Sequence, residues 1–386
     1  MENFNAKNYR DNLAKDLKDI RKDNPEKAQE FLREVQETEE YQEAKLIHQE
    51  NKGQKESKEK LTIPVLNVLQ EMGRPSLQSV ENNEITLENV IDIDARALQN
   101  PDCPYVIFGR PHAGEYVPKE VWDKTTQEGK EIFTIVDRGT HDIFKSEKIP
   151  SVGTKINRYL VDLNRSPYTQ SDVPGNVTWF KGVYNESVFK ENEEPSTEEL
   201  SEFVKDYYLP YQKKMNGLIG AVADRRENKQ QRILIIDGHS FSTTGDMMAT
   251  YFKMYGIENP KDLPMFIIGD GEGYSCDLDI LEAFTEAIKK NFEELTEEEK
   301  NLLRENVKGD IVGLNHPFKG VHNVKYYGER NQSVNGFQIE CNESLYIDES
   351  EDKYSTGKYN LQKLHLIKRV VEKSCTDVDY LLKTYK

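Results

Sequence analysis

Apolar positions along this chain fall into two regimes. From Met1 to about Lys60 they are sparse and helically spaced, with Phe4, Leu13, Leu17 and Ile20 on one stripe and Phe31, Leu32 and Val35 on a second. Asn24-Pro25 divides the stripes, ending one helix and opening the next, so the pattern predicts a charged helical hairpin. Glu50 to Lys60 contains no apolar residue and reads as a linker. Residues 1–60 are therefore expected to form an extension, a solvated helix pair leaning on the main domain or joining copies into a homo-oligomer, with a regulatory or partner-binding arm as the alternative, and 61–386 the main domain.

Beyond the linker the period changes. Leu61 to Met72 reads as helical and Ile85 to Ile93 as an edge strand. Strand-like runs follow at Tyr105 to Phe108, Ile132 to Val136, Ile233 to Ile236, Met265 to Ile268 and Phe337 to Cys341. Ser196 to Glu199 is a capping box opening a helix toward Arg226, and Thr296 to Glu299 is a second. Two further helices are expected, from about Lys358 to Lys373 and Val378 to Tyr385. Strands alternating with helices of this length predict an α/β fold, a mixed or mostly parallel central sheet flanked by helices on both faces. Between Asn164 and Glu194 lies a long segment rich in Pro, Gly, Asn and Ser, the kind of loop that either covers a site or is a mobile segment.

Charge narrows the range of partners. The chain carries 69 acidic and 52 basic residues, a formal charge of -17, which disfavours nucleic acid and anionic membrane. No apolar run approaches a spanning helix and the charged amino terminus does not resemble a secretory signal, so a soluble, cytoplasmic protein is expected. Cys103, Cys276, Cys341 and Cys375 are scattered and read as reduced, small apolar residues. Cys103 and Cys341 flank strands that carry candidate residues, but neither has a His at motif distance to activate a thiol.

Candidate chemistry gathers where apolar runs end. Tyr105 to Phe108 leads into Arg110 to Pro118, delivering His112 and Glu115 beyond the carboxyl end of a strand, where open α/β sheets place ligands. Ile233 to Ile236 leads in the same way into Asp237-Gly238-His239-Ser240. His112, Glu115 and His239 together offer two nitrogens and a carboxylate with a fourth position open, the donor set of a catalytic zinc site, with Asp237 near enough to orient a ligating His. Taken singly, each strand-end His has a plainer reading as a hydrogen-bonded structural residue. Asn164 and Arg165 follow another apolar stretch and can clamp a carboxylate, although Arg165 can equally pair with Asp162 or Asp137. Glu340 interrupts the run Gly336 to Asn342, and a carboxylate in a buried strand is costly unless paired or functional; near a metal-activated water it suits a general base.

Taken in order, RPHAGEYVP, DRGTHDIF, RYLVDLNRSP, IIDGHSF, NHPFKG and QIECNESLY resemble the N-formylglutamate amidohydrolase family. That family looks related to the zinc carboxypeptidases and to the aspartoacylase and succinylglutamate desuccinylase group. The resemblance implies a carboxypeptidase-like (phosphorylase/hydrolase-like) fold and one Zn2+ per chain on His112, Glu115 and His239. It implies a substrate carboxylate on Asn164 and Arg165, and Glu340 as general base and acid. Arg110 is then a candidate donor to the oxyanion. The implied reaction is hydrolysis of a small acidic N-acyl amino acid, in the parent case N-formylglutamate to glutamate and formate. Two departures stand out: Gln212 follows Tyr211 where a His is expected, and Val321-His322 follows Gly320 where a second Gly is expected. Asp137 is the carboxylate that would replace Glu115 were the metal held otherwise. The alternatives are a zinc carboxypeptidase or amidase acting on peptides or cell-wall fragments, and a non-catalytic protein that keeps the fold.

Overall fold

A computed structural model describes residues 62–78, 84–167, 177–182, 185–244, 246–348 and 357–384. The expected hairpin and linker, and any assembly through them, lie outside the described residues. Thr62–Lys386 forms a compact unit of its own.

Its centre is a seven-stranded sheet of β3 (Ile91–Asp94), β6 (Ser151–Thr154), β4 (Val106–Arg110), β7 (Ile233–Phe241), β10 (Val334–Asn342), β8 (Phe266–Gly269) and β9 (Val312–Leu314), in that spatial order. The sheet is mixed: β6, β4, β7 and β10 run parallel, while β3 and β8 join antiparallel to their inner neighbours. Every residue of β4 and β7 is buried, as the unbroken apolar runs require of strands covered on both faces. A smaller antiparallel sheet joins β1 (Thr62–Asn67) to β2 (Glu84–Thr86) and β5 (Tyr116–Pro118).

Strand register fixes which side chains share a face. Asp237, His239 and Phe241 alternate along β7, and His239 stands opposite Glu340 in the parallel β7/β10 pair. The helix Leu209–Ala223 covers that face, its Tyr211 and Met215 lying against Gly109. The other face carries Gly238, Ser240, Phe337 and Cys341 and is covered by the helices Leu278–Glu293 and Leu361–Thr384, with Phe284 against Phe337 at 4.9 Å. The mixed sheet flanked by helices is thus the architecture that the alternating pattern called for.

Local departures have local causes. Leu61 to Met72 is not a helix but β1 followed by one helical turn; Thr62, Ile63 and Val65 are β-branched, Pro64 lacks an N–H, and Asn67 caps the turn by accepting from Leu69 and Gln70. Ile132 to Val136 is not a strand: Thr126 caps the helix Gln127–Phe133, which buries Ile132 and Phe133 together. The two closing helices are one, Leu361–Thr384, because neither Gly nor Pro interrupts it and Val371, Cys375, Val378 and Leu382 keep one buried stripe. Both capping boxes form as read. Among the described residues no helix is long and apolar enough to cross a membrane.

Candidate metal centre

Two strand ends and a loop converge on the covered face. Beyond β4 the chain turns at Pro111 and delivers His112, whose carbonyl accepts from the Asp137 N–H at 3.2 Å, so the loop carrying Asp137 is tied to the loop carrying His112. β7 supplies His239 two residues beyond Asp237. One donor atom each from His112, Asp137 and His239 lies within 4.8 Å of the others, and all three residues are buried.

The imidazoles are oriented alike. Asp137 Oδ2 is 2.8 Å from His239 Nδ1 and 3.5 Å from His112 Nδ1. The opposite nitrogens are each held by a second carboxylate: His112 Nε2 by Asp162 Oδ1 at 2.7 Å, and His239 Nε2 by Asp237 Oδ2 at 2.9 Å. Carboxylates behind both rings can accept from Nε2–H, which would leave the Nδ1 lone pairs to an ion placed between them and Asp137, the way metal-ligating His residues are commonly supported. His112 Nδ1 is buried and has no hydrogen-bond partner, a costly vacancy for a polar atom unless an ion satisfies it. Two imidazoles and a carboxylate suit a divalent ion such as zinc.

Without an ion the carboxylates beside His239 favour its protonated imidazole, positive charge that a bound divalent cation would replace as the ligating nitrogen gives up its proton. Burial alone would raise the Asp137 and Asp162 carboxyls, yet the adjoining His112 and the Arg158 guanidinium hold both well below the usual carboxylate range. His239 is the converse case, since burial opposes its charge while Asp237 and Asp137 raise its pKa well above the ordinary value. Burial pushes Glu340 up to about 8; His239 acts against that rise and Asp137 with it. Gln338 Nε2 donates to Glu340 Oε1 at 3.2 Å.

The structure brings some expected residues into this centre and turns others away. His112, His239 and Glu340 share it. Asn164 Nδ2 lies 3.2 Å from His239 Nε2, and its Oδ1 accepts from the Asn323 N–H at 2.9 Å. Arg165 is partly exposed at the edge, donating to its neighbour's carbonyl at 3.0 Å and reaching Asp162 only at 4.0 Å.

Glu115 points elsewhere. Gly114 packs so tightly on the Ile156 carbonyl that a Cβ there would sit 2.1 Å away, and the next residue turns toward β1, where Glu115 accepts from Asn67 at 3.0 Å and from Ser76. The carboxylate beside the two His residues is Asp137. Arg110 is also redirected. Gly109 shares the face of Asp237, so the residue after it projects through the opposite side of the sheet, where Arg110 is fully buried against Asp92 at 2.9 Å and His141 at 3.0 Å. An oxyanion contact from Arg110 does not survive this geometry.

Sequence reasoning passed over Arg158, whose Nη1 meets Asp137 Oδ1 at 3.1 Å and Nη2 approaches Asp162 Oδ2 at 3.6 Å. Its signal was its place in RYLVDLNRSP, four residues before Asp162. Cys341 and Cys103 are buried thiols pushed up by desolvation, which disfavours the thiolate that nucleophilic catalysis needs. Gln212 accepts from the Tyr327 hydroxyl, and His322 Nε2 lies 2.8 Å from the Tyr208 hydroxyl, so both departures are absorbed into local pairs.

A family model described as N-formylglutamate amidohydrolase matches residues 105–347. An N-formylglutamate deformylase of Pseudomonas putida is 25% identical over 257 residues, 64% of this chain and 83% of that protein. One from Pseudomonas aeruginosa is 25% identical over 257 residues, covering 63% and 82%. Among solved structures, an N-formylglutamate amidohydrolase from Ralstonia eutropha JMP134 aligns at 16% identity with a TM-score of 0.49, over 72% of this chain and 94% of that one. A metallo-carboxypeptidase from Burkholderia cenocepacia aligns at 13% identity with a TM-score of 0.28, over 72% and 57%.

Proposed function

Because the chain belongs to the N-formylglutamate amidohydrolase family, we propose that it is a hydrolase of the amide C–N bond in a small N-acyl amino acid. N-formylglutamate is the first substrate to test, and the ion is zinc, held by His112, Asp137 and His239. The observation that carries this reading is the pair of imidazoles whose Nε2 atoms are each fixed by a carboxylate, while their Nδ1 atoms face Asp137. Such an ion supplies Lewis acidity and makes water acidic enough to attack an amide at neutral pH.

The chain's own residues do the rest. Glu340 stands opposite His239 in the sheet, where its carboxylate takes the proton of the attacking water and returns it to the leaving amine. Its raised pKa suits the second half of that task, and positive charge added at the ligand group lowers it toward the first. Arg165, partly exposed and only loosely paired with Asp162, is free to hold the substrate carboxylate as a planar fork. Arg158, anchored on Asp137 and Asp162, helps keep both carboxylates ionised, the form that can bind an ion and orient His112.

Elemental analysis of purified protein should find about one zinc per chain, lost on Asp137→Ala and kept on Glu340→Gln. The Glu340→Gln variant should release formate from N-formylglutamate at least ~100-fold more slowly. Full activity in metal-free protein would defeat the metal assignment, and full turnover by Glu340→Gln would remove the base.

A further inference from the structure

We propose that Asn323 is a positioning residue of the centre. Its side-chain amide holds Asp237, the carboxylate behind His239, while its backbone N–H turns Asn164 so that the Nδ2 end of that amide is the one offered to the substrate carboxylate. The inference rests on the zinc hydrolase reading above and adds to it a residue that touches neither the ion nor the substrate.

Asn323 lies in the first turn of the helix His322–Tyr327, where backbone N–H groups have no partner within the helix. Val321, just before that helix, has no polar side chain with which to cap it, and the Asn323 N–H is taken instead by Asn164 Oδ1 at 2.9 Å. An amide whose oxygen is engaged in this way offers only its N–H groups, so the group it holds is an acceptor such as a carboxylate oxygen. On the other side, Asn323 Nδ2 reaches both oxygens of Asp237, Oδ1 at 3.4 Å and Oδ2 at 3.3 Å. Asp237 Oδ2 is the atom that meets His239 Nε2 at 2.9 Å. One residue thus spans the support of a metal ligand and the candidate clamp for the substrate.

The short helix is pinned at both ends by close backbone contacts. A Cβ on Gly320, at a φ of 83°, would meet the Gly269 carbonyl oxygen at 2.5 Å, and one on Gly328 would meet the Gly336 nitrogen at 2.5 Å. Gly269 ends β8 and Gly336 lies in β10, the strand of Glu340, so the sheet itself sets where Asn323 stands. Asn323 is buried, and its Oδ1 has no hydrogen-bond partner. A buried amide with an idle oxygen is less stable than an apolar side chain of the same size, so packing alone does not account for Asn at this position. Its donor to Asp237 does.

The test compares the full-length native, Asn323→Ala and Asn323→Asp chains by zinc affinity in chelator competition, by KM for N-formyl-L-glutamate in zinc-saturated enzyme, and by melting temperature. Both variants lack the donor to Asp237 and should bind zinc about tenfold more weakly. Asp has the shape of Asn but sets a carboxylate against Asp237, so Asn323→Asp should lose at least as much affinity as Asn323→Ala although it opens no cavity. Both keep the N–H that holds Asn164, so KM should stay within about threefold of native, and a larger rise would overturn that half of the assignment. Native zinc affinity in Asn323→Asp, with the melting temperature lowered only in Asn323→Ala, would make Asn323 a packing residue and overturn the positioning role, while native release of formate leaves the hydrolase reading standing. Zinc binding that weakens in both variants, without release of formate by the native chain, supports the positioning role and defeats the reaction. A native chain that binds no zinc overturns both.

Discussion

Replacing Glu115 by Gln separates the two carboxylates that compete for the third ligand position. Glu115 is buried, and desolvation carries its pKa from 4.5 to about 7, while hydrogen bonds from Ser76 and Asn67 pull the other way. Raised in the fold, this carboxyl contributes stability that is complete below about pH 4.5, declines as pH rises and is gone above about 7. At 1.36 kcal/mol per pKa unit the loss across that window is roughly 3 kcal/mol. Gln has the same shape, still accepts from Asn67 and Ser76, and does not titrate. The melting temperature of Glu115→Gln minus that of the native chain should therefore widen by about 5 °C between pH 4.5 and 7.5 for a unit of this size. Differential scanning calorimetry at four pH values reads it, because other titrating groups are common to both proteins. Zinc content should stay near one per chain in the variant. Parallel melting curves would refute the buried-charge argument, and loss of zinc from Glu115→Gln alone would return Glu115 to the metal.

Two further changes probe the supports of the centre. Asp162→Asn leaves the three ligands in place but weakens the hold on His112 Nε2, so zinc affinity by chelator competition should fall about 10- to 100-fold; an unchanged affinity would make Asp162 merely structural. Gly238→Ala puts a Cβ 2.2 Å from the Phe144 ring, which itself packs edge-on against Phe108 at 5.5 Å. Urea unfolding should show a loss of about 1–3 kcal/mol, and a neutral result would mean that Phe144 can withdraw.

Much of this centre was legible because strand ends announce themselves. Ile233-Leu-Ile-Ile before Asp237 and His239, and Val106-Ile-Phe before His112, are apolar runs that only a covered sheet accommodates, and a polar residue at their ends must serve or be satisfied. Glu340 was legible for the same reason. Elements whose identity depends on neighbours were not. Ile132 and Phe133 are equally apolar in a strand or in the helix they occupy, and β6 contributes only Ser151–Thr154, too short for a period to register.

That Asp137 rather than Glu115 stands beside the two His residues has a deeper cause. A His and a Glu three apart can share one metal only where the turn between them brings both side chains to one side. The actual turn is set by contacts distant in sequence: the Ile156 carbonyl against Gly114, and Asn67 of β1, which draws the Glu115 carboxylate toward the small sheet. Asp137 reaches the centre through the backbone bond of its N–H to the His112 carbonyl, a link between residues 25 apart that no periodicity encodes. Arg110 follows the opposite logic: strand period alone, once β4 is known to include Gly109 and Arg110, sends its side chain to Asp92. One residue's extension of a strand therefore decided whether an Arg beside a candidate ligand belonged to the chemistry or to the far face of the sheet.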